Sequence, residues 1–184
     1  MTEIQRYKIL HFFHVLDRDG NGVLEEKDFT LVGNGISDQI GHASDSRERL
    51  SLKAKSYSLF LHILDNLKKT QATLNPEEWL MFFENFVLVK PNIYIDKTSD
   101  YLFSLFDQDG DGFLDKLEYL DMFKVYGLYA AHAMKVFDLM DLNSDEKISK
   151  QELVKSFNEF FLSSESDIAG NWIFGDWRIY HSIT

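Results

Sequence analysis

Asp107, Asp109, Asp111, Asp115 and Glu118 put oxygen-bearing side chains at positions 1, 3, 5, 9 and 12 of a twelve-residue stretch, with Gly112 at position 6 and Leu114 at position 8. A hard cation such as Ca²⁺ takes six to eight oxygens at roughly 2.3–2.6 Å, so alternate residues of a tight loop must point inward. The backbone carbonyl at position 7, Phe113 here, adds one more oxygen. Gly112 permits the sharp turn, because a positive φ costs nothing without a Cβ. Glu118 then closes the shell with two oxygens from the first turn of the following helix.

This spacing is that of an EF-hand calcium loop, and it recurs. Asp17, Asp19, Asn21 and Glu25 hold positions 1, 3, 5 and 9 of an earlier copy, with Gly22 at 6, Val23 at 7 and Asp28, one methylene short of Glu, at 12. Asp141, Asn143, Asp145, Ser149 and Glu152 keep every side-chain ligand of a later copy, with Lys147 at position 7. Glu146 stands there in place of the glycine. In the remaining copy, residues 67–78, positions 1, 3 and 5 are Leu67, Lys69 and Gln71; only Leu74 at position 8 and Glu78 at position 12 fit. That loop is expected to be empty.

The flanking segments must be helices that aim the loops. Apolar pairs precede them at constant offsets, Phe13 with Leu16, Phe103 with Phe106 and Phe137 with Met140, and Phe29, Trp79, Tyr119 and Leu153 open the helices that follow. Position 8 of each loop (Leu24, Leu74, Leu114, Ile148) suits a short β bridge between paired loops. The expected fold is all-α: four helix-loop-helix units in two pairs forming one compact body, with short β bridges. Residues 1–90 would be the first pair, 91–162 the second, and 163–184 an apolar tail packing back on the body. Residues 90–97 read as a short ordered connection. The 45% apolar fraction and 16 Phe favour a shared core over two separate halves.

A formal net charge of −11 argues against nucleic acid and anionic membranes, which require a basic surface. Each bound divalent ion would cancel two of those charges, so metal removal should leave repelling carboxylates and a looser protein. No apolar run is long enough to span a bilayer. The N-terminus lacks a signal-peptide plan, Thr2 excludes Gly-based myristoylation, and the absence of cysteine fits a reducing compartment. The expected location is the cytoplasm, and the expected state is a monomer. No nucleophile, phosphate-cradling loop or spare acid/base pair points to an enzyme.

Two further features resemble the sarcoplasmic calcium-binding protein family, including its bacterial calerythrin-like relatives. One is the Asp28-Phe29 ending of the first loop. The other is the tail 169–175, Ala-Gly-Asn-Trp-Ile-Phe-Gly, similar to that family's Gly-Asn-x-x-Phe-Gly segment. The resemblance covers essentially the whole chain and implies a compact four-hand cytosolic Ca²⁺/Mg²⁺ buffer. About three ions would bind, through the first, third and fourth loops. Asp28 lowers coordination toward the six that Mg²⁺ demands, so Mg²⁺ should compete best at the first loop. Glu146 should adopt a left-handed conformation and cost its loop about tenfold in affinity.

The tail is expected to fold back, with Trp172 and Phe174 plugging the core between the halves. Two alternatives to the buffer remain at this point. One is a Ca²⁺ sensor that opens apolar grooves, against which only five scattered Met count. The other is a chromophore binder resembling the photoproteins and luciferin-binding proteins, with His62, His132, Trp79, Trp172 and Trp177 lining a cavity. Asp28 and Thr184 depart from the photoprotein pattern.

Overall fold

Each calcium-type loop begins where a helix stops. The computed structural model describes residues 1–178; Ile179, Tyr180 and Ile183, and with them the end of the expected 163–184 tail, lie outside that range. Helix α1 (Glu3–Leu16) enters the first loop, which carries β1 (Leu24–Glu25) and leaves through α2 (Glu26–Ile40). Helix α3 (Arg47–Leu67) leads through β2 (Thr73–Leu74) to α4 (Pro76–Phe82), which continues as a π turn over Phe83–Val87. Helix α5 (Pro91–Phe106), β3 (Phe113–Asp115) and α6 (Lys116–Val125) form the third unit. Helix α7 (Ala130–Met140), β4 (Lys147–Ser149) and α8 (Lys150–Leu162) form the fourth, followed by a 3₁₀ turn at Ala169–Trp172.

The loops pair as the position-8 residues predict. Strands β1 and β2 run antiparallel with Leu24 opposite Leu74, and β3 and β4 with Leu114 opposite Ile148. All four side chains are fully buried, so each bridge is also a floor over the core. The helix openers Phe29, Trp79, Tyr119 and Leu153 are buried as well. A single cluster of apolar side chains runs from Ile9 to Phe174 and takes residues from all eight helices. The helices and the two short strand pairs match the all-α expectation.

Residues 90–97 differ from their expected role as a connection. Pro91 occupies the first turn of α5, so 91–97 are already helix. Pro91 suits that place because its missing N–H would have no helical partner there.

The tail closes the body with one of the two side chains expected, Phe174, and not with Trp172. Phe174 is fully buried and stacks on Phe12 of α1 at 4.5 Å, while the Phe157 and Phe160 rings of α8 lie 5.8 and 5.2 Å away. Ile173 and Trp177 are buried with it. Trp172 is only half-buried, and its outer face is covered by the Arg178 guanidinium at 4.4 Å. The tail turns through a 3₁₀ helix here, so adjacent residues point apart and Ile173 takes the inward position.

Polar contacts fix this arrangement. Lys8 is fully buried, and its three ammonium donors meet three acceptors: Glu159 O at 3.1 Å, Ser163 O at 2.9 Å and Asn171 Oδ1 at 2.7 Å. Burial lowers its pKa to about 8, against the pull of Glu159, so it is charged at neutral pH. Gly170 has no room for a side chain, since a Cβ would stand 2.5 Å from Ser156 O and 2.6 Å from Glu159 Cβ. His11 Nε2 meets Phe174 O at 2.7 Å. Among the described residues, no helix is long and apolar enough to cross a membrane.

Candidate metal centres

The three loops with a full ligand pattern fold alike. Position 1 is the C-cap of the entering helix in each: Asp17, Asp107 and Asp141. One carboxylate oxygen of that residue accepts the N–H of position 6, from Gly22 at 2.9 Å, Gly112 at 3.1 Å and Glu146 at 2.9 Å. Position 5 then accepts the N–H of position 7: Asn21 from Val23, Asp111 from Phe113 and Asp145 from Lys147, at 2.9, 2.9 and 3.0 Å. These bonds hold the backbone in a ring and leave the carboxylates gathered at its centre.

Position 6 requires a positive φ, and Glu146 meets it at 66° against 83° for both Gly22 and Gly112. The left-handed Glu146 expected from the sequence is therefore present. Position 4 makes the same demand: Gly20, Gly110 and Ser144 have φ of 69°, 74° and 59°. The fourth loop thus carries two non-glycine residues in the left-handed region, where Cβ contacts are unfavourable.

Position 12 ties each loop to its exit helix. Glu118 Oε1 accepts the Gln108 N–H at 2.8 Å and Oε2 the Asp115 N–H at 3.0 Å. Glu152 repeats this with Leu142 and Ser149 at 2.9 and 2.8 Å. Asp28, though shorter, repeats it too, accepting from Arg18 at 2.9 Å and Glu25 at 2.9 Å. It is fully buried to do so.

The donor set tests whether a hard cation fits. Carboxylate oxygens of Asp17, Asp19 and Asp28 lie within 4.8 Å of one another, as do those of Asp107, Asp109 and Glu118. Three converging carboxylates repel unless a cation lies among them. Burial, aided by the neighbouring carboxylates, raises the pKa of Asp28 and of Glu118 against their backbone hydrogen bonds. Glu152 differs: burial pushes it up, but the bonds from Ser149 and Leu142 outweigh that and hold it low. The fourth loop has an amide at position 3, and Asn143 Nδ2 donates to Asp145 Oδ2 at 2.9 Å. An all-oxygen set of this kind suits Ca²⁺ or Mg²⁺ and not a softer metal.

Lysines surround these carboxylates. Lys27 pairs with Asp19 at 2.7 Å, Lys147 of the fourth loop reaches across to Asp111 of the third, and Lys116 pairs with Glu146 at 2.9 Å. The pairing holds Asp19 and Asp111 below the usual carboxylate range. Of the three, the sequence singles out only Lys147, for its carbonyl at position 7; the reach of the three ammonium groups depends on how the loops fold and pair.

The second loop is built differently. Its entering helix runs one residue further, to Leu67, and Lys68 caps it with φ 50°. Lys69, at position 3, forms an ion pair with Glu78, at position 12.

The residues expected to line a chromophore cavity are not brought together. His62 and Trp79 border one cavity of about 20 Å³, also walled by Phe12, Phe82, Tyr94 and Phe161. His132 and Trp172 border a separate cleft of about 280 Å³, and Trp177 lines neither.

Known proteins place this geometry. An EF-hand family model matches residues 99–123 and 134–158, the third and fourth units. Calerythrin from Saccharopolyspora erythraea is 23% identical over 164 residues, covering 86% of this chain and 93% of that protein. The chain is a calerythrin-like EF-hand protein. It binds calcium, and its fold is the one shared by sarcoplasmic calcium-binding proteins and photoproteins. The sarcoplasmic calcium-binding protein of amphioxus superposes with a TM-score of 0.69 at 20% identity, over 96% of this chain and 98% of that one. The calcium-loaded apo form of the coelenterazine-binding protein of Renilla muelleri gives 0.74 at 20% identity, over 96% and 99%.

Proposed function

We propose that this calerythrin-like chain is a monomeric cytoplasmic Ca²⁺/Mg²⁺ buffer that holds three ions and performs no catalysis. The first ion would be held by Asp17, Asp19, Asn21, the Val23 carbonyl and Asp28. The second would take Asp107, Asp109, Asp111, the Phe113 carbonyl and Glu118, and the third Asp141, Asn143, Asp145, the Lys147 carbonyl and Glu152. Mg²⁺ would compete best at the first, where Asp28 is one methylene short. The division into pairs at 1–90 and 91–162 belongs to the same reading.

The observation that carries the choice of buffer over sensor is the position of Phe174. A sensor must offer an apolar groove to a partner when loaded. Here Phe174 is packed between α1 and α8, and Lys8 and Asn171 fasten the segment that bears it. An apolar dye added to the metal-free and Ca²⁺-loaded protein tests this. The buffer reading expects little fluorescence in the loaded form; a strong Ca²⁺-induced rise would favour a sensor.

The likeness to a coelenterazine-binding protein favours a second reading as a chromophore binder. Against it, the expected lining residues do not share one space: the cavity beside His62 and Trp79 has about 20 Å³, room for one water, and the clefts of about 280 and 400 Å³ beside His132 include neither. Titration with coelenterazine separates the two readings.

A further inference from the structure

Four carboxylates stand at position 12 of the four loops, and in three of them the residue at position 3 is an oxygen donor. In the second loop that residue is Lys69, and its ammonium bonds Glu78 Oε1. The other oxygen of Glu78 accepts the Asn75 N–H at 3.0 Å, just as the position-12 carboxylate of every other loop accepts the position-9 N–H. The first oxygen in the other loops takes the N–H of position 2; here it takes the ammonium. The pair is shielded, with Lys69 15% and Glu78 31% exposed, which distinguishes it from ordinary surface pairs. Glu78 also caps α4 reciprocally with Asn75, whose Oδ1 accepts the Glu78 N–H at 2.9 Å.

We infer that Lys69 is a built-in cation: its ammonium replaces a divalent ion in the second loop and holds that loop closed at every calcium concentration. The consequence passes to the first loop through the β bridge. Leu74 faces Leu24 and Thr73 faces Glu25. Glu25 is the residue whose N–H fixes Asp28, so a closed second loop braces the position-12 ligand of the first. The first ion then enters a half-assembled pair and orders one loop instead of two, which lowers the entropy lost on binding. The effect on the first loop rests on its holding an ion as proposed above, whereas the closure of the second does not.

Charge alone predicts the opposite sign. Removing a positive side chain from an acidic protein should strengthen Ca²⁺ binding nearby. Lys69→Met therefore discriminates. Backbone amide exchange at Leu74 in the metal-free protein should accelerate at least ~10-fold in this variant. Calcium affinity of the first loop should fall about fivefold, at the low end of site-to-site coupling. Lys69→Arg, which keeps the charge, should behave as the parent in both measurements. Unchanged Leu74 exchange in Lys69→Met, a stronger first site, or Lys69→Arg behaving as Lys69→Met would each overturn the inference. If the parent's first loop takes no ion, the proposed function fails there, and Leu74 exchange still decides the role of Lys69.

Discussion

The Phe174 ring lies 4.5 Å from the Phe12 ring at an interplanar angle of 24°, so the last apolar segment of the described chain stacks on its first helix. One aromatic contact thereby joins the two ends of the fold and fills the space between the halves. Phe157, Phe160 and Phe161 complete the box around it.

Phe174→Ala should cost about 3–5 kcal/mol, the range for emptying a buried aromatic site. Denaturant unfolding of the Ca²⁺-loaded protein measures this. The same variant should bind an apolar dye when loaded, because the groove is then open. A loss below about 1 kcal/mol would mean that the tail merely rests on the body.

Glu146→Gly should raise the calcium affinity of the fourth loop about tenfold, by removing a side chain held at φ 66°. The Lys116 pair lost with it is exposed and contributes little. Titration followed by signals of the Asp141–Glu152 loop would show the change. An unchanged affinity would place the strain at Ser144 instead.

Lys147→Met should strengthen the third loop by about threefold, since Lys147 competes with an ion for Asp111. The pair joins adjacent loops, so the fourth loop should change less than the third. Weaker binding at the third loop would show that Lys147 positions Asp111 instead of competing for it.

Chelation should destabilise the whole protein. At free Ca²⁺ of ~1,000 times the dissociation constant, each site adds about 4 kcal/mol to stability. Thermal unfolding with and without chelator should therefore differ by tens of degrees. A shift of only a few degrees would indicate that the loops bind weakly.

The loops were legible in the sequence because their chemistry is local. Twelve residues fix which oxygens converge, and the same twelve place Leu24, Leu74, Leu114 and Ile148 at the bridges. The left-handed Glu146 followed from its position alone. What escaped was contact between distant segments. Lys8 and Asn171 are 163 residues apart, and nothing local marks a buried lysine as a clamp. The inward turn of Ile173 in place of Trp172 depends on a 3₁₀ twist set by Gly170 lying against α8. The start of α5 at Pro91 is not marked locally, because a proline fits both a connection and the first turn of a helix.

The central claim is that three loops of one calerythrin-like body hold ions without opening an apolar surface. Calorimetric Ca²⁺ titration, repeated in millimolar Mg²⁺, tests it most directly. The account predicts three Ca²⁺ per chain, with Mg²⁺ weakening apparent binding most at the first loop. A stoichiometry of two, or binding indifferent to Mg²⁺, would contradict it.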